Sequence, residues 1–365
     1  MYGFTPTDEQ KMLVEAVGRY AKSDLRPAAH EAEEGRQLPP RLVSKGWELG
    51  VLQASVPGAY GGFGEHSSVT SVLAAEALAF GDLAGTLAVL TPSLFVTPLL
   101  LAGSEAQKQT YIPPVIAADW KPFSAALIEP AFDFDPNDLK TTARADPEKA
   151  GAGEYVLDGA KTCVPYAAEA EALIVYAALD GMTQAFIVPG KTDGLSVSER
   201  IKLMSLNALP LYDITLTNVR IPQSNKLEGD FRPLLAAMRV TNAALALGVA
   251  QAAFEYARDY AKEREAFGVK IAQKQAIAFM LAEMATEIEG VRLLAWEAAW
   301  KLDTGKQDAP TAAYFAATGA ADMAILVTDR AVQILGGHGY IRDHPVEMWM
   351  RNGRGFASFT GLAIV

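Results

Sequence analysis

Arg264-Glu265-Ala266-Phe267-Gly268, Gln333-Ile334-Leu335-Gly336-Gly337-His338-Gly339-Tyr340 and Arg351-Asn352-Gly353-Arg354-Gly355-Phe356-Ala357-Ser358-Phe359-Thr360-Gly361 stand in that order in the last third of the chain. An arginine can offer a planar fork of donors, and a glycine lets a backbone N–H approach where a side chain would be in the way. Both are what a phosphate group needs. Around these motifs the apolar residues recur at helical spacing: Ile277, Leu281, Met284, Ile288, Val291 and Ala295 keep the 3, 4 rhythm of a buried seam for more than four turns, and Val249, Ala253, Tyr256 and Tyr260 repeat it. The segment from Arg232 onward is helical.

Upstream the rhythm changes. Between Trp120 and Glu228 the period is two, with Tyr155-Val156-Leu157, Ala172 to Tyr176, Ala185 to Val188 and Tyr212 to Thr217 predicted as strands, and Asp158-Gly159, Asp180-Gly181 and Pro189-Gly190 as the turns between them. Before that the chain is helical again, opening at Thr5-Pro6-Thr7-Asp8-Glu9 with a capping hydroxyl or carboxylate and acids in the first turn. The expected domains are a helical one over 1–118, a β domain over 119–228 and a helical bundle over 229–365. The glycine-rich run Pro57 to Gly64 is a loop between helices and not a phosphate loop, because no Lys-Ser or Lys-Thr follows it.

Composition narrows the function classes. Half of the 365 residues are apolar, which suits a large folded core, and a net charge of −11 without a basic stripe argues against nucleic acid. The uncharged window Leu83 to Ser104 has the length of a membrane span, but Pro92, Pro98, Ser93 and three threonines interrupt it. Two buried helices joined by a turn are expected there, and no membrane role. The single Cys163 allows no internal disulfide, the four histidines are scattered away from any metal-binding spacing, and no basic stretch precedes an apolar run at the N-terminus. A cytoplasmic protein without a metal site is the expectation.

The ordered motifs resemble the C-terminal half of the acyl-CoA dehydrogenases, and the sequence of helices, strands and helices extends the resemblance over essentially the whole chain. It implies an α+β, mostly α, fold: an N-terminal helical domain, a middle β-barrel-like domain and a C-terminal four-helix bundle. It also implies FAD as cofactor, an acyl-CoA thioester as substrate, an electron-transfer flavoprotein as acceptor, and a tetramer. By resemblance, Arg264, Phe267 and Gly268 grip the pyrophosphate and adenosine side of the flavin. Gln275 reaches the adenine, and Gln333, Gly336 and Gly337 line the same channel, all across a subunit interface. Arg239 falls on the substrate side.

Three departures qualify that resemblance. The family usually has Thr-Glu-Pro-Gly-x-Gly-Ser-Asp beside the flavin ring, where this chain has Ile128-Glu129-Pro130-Ala131-Phe132-Asp133-Phe134-Asp135; both glycines and both hydroxyls are gone. Where it typically has Trp-Ile-Thr-Asn, Cys163-Val164-Pro165-Tyr166 stands, and Pro165 removes a donor and a hydroxyl at once. The family's catalytic glutamate is here Thr360, and the alternative position of that base, before Arg239, is Met238. A threonine hydroxyl cannot abstract a proton near neutral pH without a base of its own. Cys163, with no His, Lys or Arg within the three residues after it, is expected to be an inert thiol.

Groups that serve a neighbour's cofactor are thus kept, while those that would seat the chain's own flavin ring are lost. This resembles the non-catalytic subunit of a heteromeric bacterial acyl-CoA dehydrogenase, which completes the FAD site of a catalytic sister chain acting on a bulky or steroid-like CoA thioester. Two alternatives stay open: a homo-oligomeric FAD-dependent acyl-CoA oxidoreductase or lyase with an unusual base, and an acyl-CoA-binding protein without redox activity.

Overall fold

The computed structural model describes residues 5–117, 119–146 and 153–365; residue 118, where the first domain boundary is expected, lies outside the described residues. Helices come first: α1 (Asp8–Tyr20), α2 (Arg26–Gly35), α3 (Pro40–Trp47), α4 (Ser68–Ala79), α5 (Leu83–Leu90), α6 (Ser93–Ala102) and α7 (Glu105–Val115). The cap of α1 is a hydroxyl: Thr7 Oγ1 accepts the Gln10 N–H at 3.2 Å, and the Gln10 side chain accepts the Thr7 N–H at 2.9 Å. Two backbone donors at the helix start are satisfied reciprocally. The uncharged window becomes α5 and α6, bent by 52° at their junction and almost wholly buried. In the loop before α4, a Cβ on Gly62 or Gly64 would lie 2.0 Å from the Val56 carbonyl oxygen or 1.9 Å from that of Ala54, so these glycines permit close backbone approach.

The middle segment is one seven-stranded mixed sheet: β1 (Ser124–Ala126), β2 (Thr142–Asp146), β3 (Glu154–Pro165), β4 (Ala172–Leu179), β5 (Met182–Pro189), β6 (Leu195–Val197) and β7 (Leu211–Pro222). The spatial order is β1-β4-β2-β3-β7-β6, with β5 paired to β4. Asp180 and Gly181, at φ 51° and 78°, form the two-residue turn of the β4–β5 hairpin. Asp158-Gly159 is not a turn. It lies inside β3, at an irregularity in the pairing with β7, where Gly159 takes φ 149° and a Cβ would stand 2.6 Å from Thr141 Cα. The dipeptide that makes a hairpin at one place makes a bulge at another, because only the partner strands decide which.

Helices return as α8 (Phe231–Glu263), α9 (Gln275–Asp303), α10 (Ala309–Leu335) and the short α11 (Val346–Gly353). Between α8 and α9 lies a small hairpin, β8 (Glu265–Ala266) with β9 (Val269–Lys270). Met284, Ile288, Val291 and Ala295 of α9 are buried, and Ile277 and Leu281 pack half-buried on the same core. One core cluster joins the N-terminal helices to this bundle; a second lies between α6, α7, the sheet and the start of α8. By length and composition alone Phe231–Glu263 and Ala309–Tyr340 could cross a bilayer, but 89% of the first one's apolar window is buried in the fold.

Candidate functional site

The residues singled out in the last third fall into two groups at opposite ends of α8. At its C-terminal end stand Arg264, Phe267 and Gly268, on the same side as the first residue of α9, Gln275, the last turn of α10 with Gln333, and Gly336 and Gly337 in the tight turn that follows it. Helices α8 and α10 end on the same side because α9 returns between them, and Tyr260 ties the two ends together through a 2.9 Å contact of its hydroxyl with His338 Nδ1. Arg264 closes α8, its N–H donating to the Tyr260 carbonyl at 2.8 Å. Its exposed guanidinium has no ion-pair partner among the described residues. Phe267 and Gly268 make the turn of the small hairpin with φ 54° and 78°, a conformation that costs a phenylalanine roughly 1–2 kcal/mol. Its ring is 94% exposed. At Gly336 and Gly337 a Cβ would meet nothing within 4 Å, so their backbone faces open space. A free guanidinium fork beside bare backbone can hold a pyrophosphate.

The second group surrounds Thr360. A cavity of about 310 Å³ is lined by Phe134, Arg239, Asn242, Tyr314, Asp322 and Thr360, among others. Arg239 and Asn242 lie one turn apart on α8, and the Arg239 guanidinium stands 5.1 Å from the centre of the Tyr314 ring. Burial holds Arg239 below its ordinary pKa, opposed by Tyr314 and Asp135. The tail that carries Thr360 is anchored on α8: Asn242 Nδ2 donates to the Phe356 carbonyl at 2.8 Å, and the Val365 N–H donates to Thr241 Oγ1 at 3.1 Å. Met238 faces away from this cavity and is fully buried in the second core cluster. Asp322, exposed, is the one carboxylate lining the cavity among the described residues. The 25 positions from Arg239 to Arg264 amount to about 37 Å along the helix axis, so one chain cannot bring both groups to the same small ring.

The loop Ile128–Asp135 and the end of β3 are the segments that depart most from the family's pattern. Glu129, 5% exposed, and Lys161, fully buried, form an ion pair at 2.8 Å. Glu129 also accepts the Lys140 N–H at 2.7 Å and the Thr141 N–H at 2.8 Å, and Lys161 donates to the Leu127 carbonyl at 3.1 Å. Burial alone would raise the Glu129 carboxyl, yet these donors hold it below the ordinary range. Its role is to fasten the loop to β2 and β3. The neighbouring N–H groups are spent within the fold: that of Thr162 on the Ile128 carbonyl and that of Tyr166 on the Pro210 carbonyl, both at 2.9 Å. Pro165 has none. Phe132 projects fully into solvent. Cys163 is half-buried at φ 56°, and burial pushes its thiol up, which agrees with an unreactive side chain.

Models of the acyl-CoA dehydrogenase N-terminal, middle and C-terminal domains match residues 7–119, 124–219 and 231–363. The chain belongs to the acyl-CoA dehydrogenase family. Among its relatives is the 3-(aryl)acrylate reductase of Clostridium sporogenes, 34% identical over 373 residues that cover 98% of this chain and 96% of that protein. The structure of butyryl-CoA dehydrogenase from Megasphaera elsdenii superposes with a TM-score of 0.88 at 29% identity, covering 99% of this chain and 96% of that one. The structure titled PigA with FAD and proline gives 0.88 at 25% identity, with the same coverages. The chain therefore has the acyl-CoA dehydrogenase fold, and the family is one of oxidoreductases acting on CH–CH bonds.

Within this member of the acyl-CoA dehydrogenase family, two participants escaped sequence reasoning. Lys161 is separated from Glu129 by 32 positions, and nothing short of the sheet reveals the pair. Asn242 did leave a signal: it is a polar residue three positions after Arg239 in a helix otherwise buried and apolar from Val240 to Ala253, apart from Thr241 and Gln251. Fit to a flavin dinucleotide is divided. The bundle end offers a free arginine and bare backbone, whereas the strand and loop at Cys163–Tyr166 and Ile128–Phe134 offer no side-chain hydroxyl or amide beyond that of Tyr166.

Proposed function

We propose that this chain is the supporting subunit of a heteromeric acyl-CoA dehydrogenase, and that its bundle end completes the FAD site of a catalytic sister chain. One observation carries the reading: the phosphate-competent end of α8 is open, unpaired among the described residues and about 37 Å along the helix from Arg239, which lines the cavity of Thr360, so its groups are placed for another chain's cofactor. The strained and exposed Phe267 supports it, since a ring held at such a cost in water gains from being covered. Phe279, Leu293 and Leu294 of α9 and Tyr314 and Phe315 of α10 are exposed as well, an apolar face suited to subunit contact.

FAD supplies the hydride acceptor when bound in the sister chain; Arg264, with the Gly336-Gly337 backbone, neutralises and orients its pyrophosphate, and Phe267 and Gln275 cover the adenosine side. Arg239 and its cavity hold an acyl-CoA thioester without turning it over, because Thr360 provides no base. Electrons would leave the complex to an electron-transfer flavoprotein. The compartment is proposed to be the cytoplasm and the assembly a tetramer of unlike chains, with a bulky or steroid-like acyl group as substrate.

The test is the flavin absorbance of the purified chain alone and after co-expression with a glutamate-bearing sister. A colourless chain and a yellow, active complex are expected. A yellow homo-oligomer that desaturates acyl-CoA overturns the proposal in favour of a second reading, to which Asp322 lends its carboxylate as a relocated base. A colourless chain that binds acyl-CoA and joins no sister points to a binding protein.

A further inference from the structure

Asn242 is 3% exposed, yet only half of its amide is used. Its Nδ2 donates to the Phe356 carbonyl at 2.8 Å, and that acceptor fixes the orientation of the amide, because a carbonyl oxygen can be met only by the NH₂ end. The other end, Oδ1, is buried and has no hydrogen-bond partner among the described residues. Asn242 lines the cavity of Thr360 and Arg239, and so does Phe356, so the unpaired oxygen belongs to a residue of the cavity wall. An unpaired amide oxygen of this kind is costly to bury and is ordinarily matched. The groups around it do not match it: Arg239 is turned to the Tyr314 ring, and no bond from Tyr314, Thr318, Ser358 or Thr360 reaches Oδ1 among the described residues.

We infer that Asn242 is a specificity residue: the ligand of this cavity carries a hydrogen-bond donor, an O–H or N–H, that meets Asn242 Oδ1. The inference rests on the reading of the cavity as an acyl-CoA thioester site. Within that class the donor has two sources, a hydroxyl on the acyl chain or an amide N–H of the pantetheine arm. A plain hydrocarbon acyl chain would leave the oxygen unsatisfied and be bound less tightly for that reason.

The experiment measures the affinity of the chain, in the assembly in which it purifies, for butyryl-CoA and 3-hydroxybutyryl-CoA by titration calorimetry. It is repeated with Asn242→Leu, which removes the acceptor, and Asn242→Asp, which keeps an acceptor but gives up the Phe356 bond. If the donor is the acyl hydroxyl, the wild type prefers the hydroxylated thioester by about 3- to 10-fold, the worth of one neutral hydrogen bond. That preference disappears in the leucine variant and survives in the aspartate variant. If the donor is the pantetheine amide, both thioesters weaken by a similar factor in the leucine variant alone. Equal affinity of the wild type for the two thioesters, together with unchanged binding in Asn242→Leu, overturns the inference while leaving the thioester site standing. Should the leucine variant fail to fold, loss of affinity in Asn242→Asp equal to that expected of Leu assigns the effect to the Phe356 bond and overturns it too. Failure of the wild type to bind either thioester overturns the functional reading itself, and this inference with it.

Discussion

The Tyr260 hydroxyl and Nδ1 of His338 meet at 2.9 Å, and through this contact the last turn of α8 holds the Gly336-Gly337 turn beside Arg264. The hold is continued by His344, whose ring stacks on His338 at 5.5 Å and whose Nδ1 lies 2.7 Å from the Tyr256 hydroxyl. Two tyrosines one turn apart on α8 thus fix a turn that lies 78 residues downstream. The fork and the bare backbone of the phosphate-competent end are placed by helix packing before any ligand arrives.

Arg264→Ala should lower the flavin content of the co-expressed complex while leaving the chain about as stable as before. An exposed charge contributes little to folding, whereas a charge-assisted phosphate contact contributes roughly 1.5 to 3 kcal/mol to binding. Arg264→Lys should restore only part of it, since an ammonium keeps the charge but not the fork. Flavin absorbance per mole of complex after gel filtration decides; full flavin with alanine at 264 would reduce the arginine to a surface residue.

Thr360→Glu by itself should not give the isolated chain acyl-CoA desaturation activity. A base works only on a substrate α-carbon already aligned with a flavin ring, and the segment at Ile128, Phe134 and Pro165 lacks the donors to seat one. Turnover with an artificial electron acceptor at ordinary dehydrogenase rates would show that this segment seats a flavin after all.

Asp322→Asn should leave the turnover of the complex unchanged, because proton abstraction is assigned to the sister chain. If Asp322 were the base, its loss would cost on the order of 10² to 10⁴ in rate. The kcat of the two complexes, measured side by side, separates the supporting subunit from a self-sufficient enzyme.

Lys161→Met should destabilise the chain by about 3 to 5 kcal/mol, the cost of leaving one member of a buried ion pair behind. The shift of the urea midpoint reports it. The pair also sets a pH dependence. Because the folded state holds the Glu129 carboxyl below its ordinary value, the unfolded chain binds the proton first on acidification, and stability falls as pH drops below about 4.5. In Lys161→Met that contribution should shrink or reverse.

Asp82 runs the other way. It caps α5 with a 2.6 Å bond from the Gly85 N–H, but burial pushes its carboxyl up to about 6. The folded state therefore binds the proton more tightly than the unfolded one, and this contribution to stability is present below about pH 4 and lost as pH rises through about 6. Asp82→Asn keeps a good cap and should gain on the order of 2 kcal/mol at pH 7.5 and almost nothing at pH 4. Equal gains at both pH values would mean that the carboxyl titrates normally.

How much of this was legible beforehand follows the range of the interactions involved. Local rules sufficed for the cap at Thr7, the Asp180-Gly181 hairpin turn, the seam from Met284 to Ala295 and the bent pair α5–α6, because each is decided by residues a few positions apart. The ordered motifs from Arg264 to Gly361 carried the family, and the missing hydroxyls and glycines from Ile128 to Phe134 could be read directly. Asp158-Gly159 shows the limit: its local signal is that of a turn, and only the pairing of β3 with β2 and β7 makes it a bulge.

What the chain determines by itself, then, is its helical and strand periods, its fold family and the identity of the groups it lacks. Tertiary structure alone decided that Arg264, Gln275 and Gly336 share one end of a bundle, that Thr360 opens on the same cavity as Asn242 and Asp322, and that Glu129 is neutralised by Lys161. The reason is physical. Periodicity and capping are written in neighbouring residues, whereas a buried charge, an unpaired amide oxygen or a free guanidinium acquires its meaning from what chain packing brings to within hydrogen-bond reach of it, or leaves out.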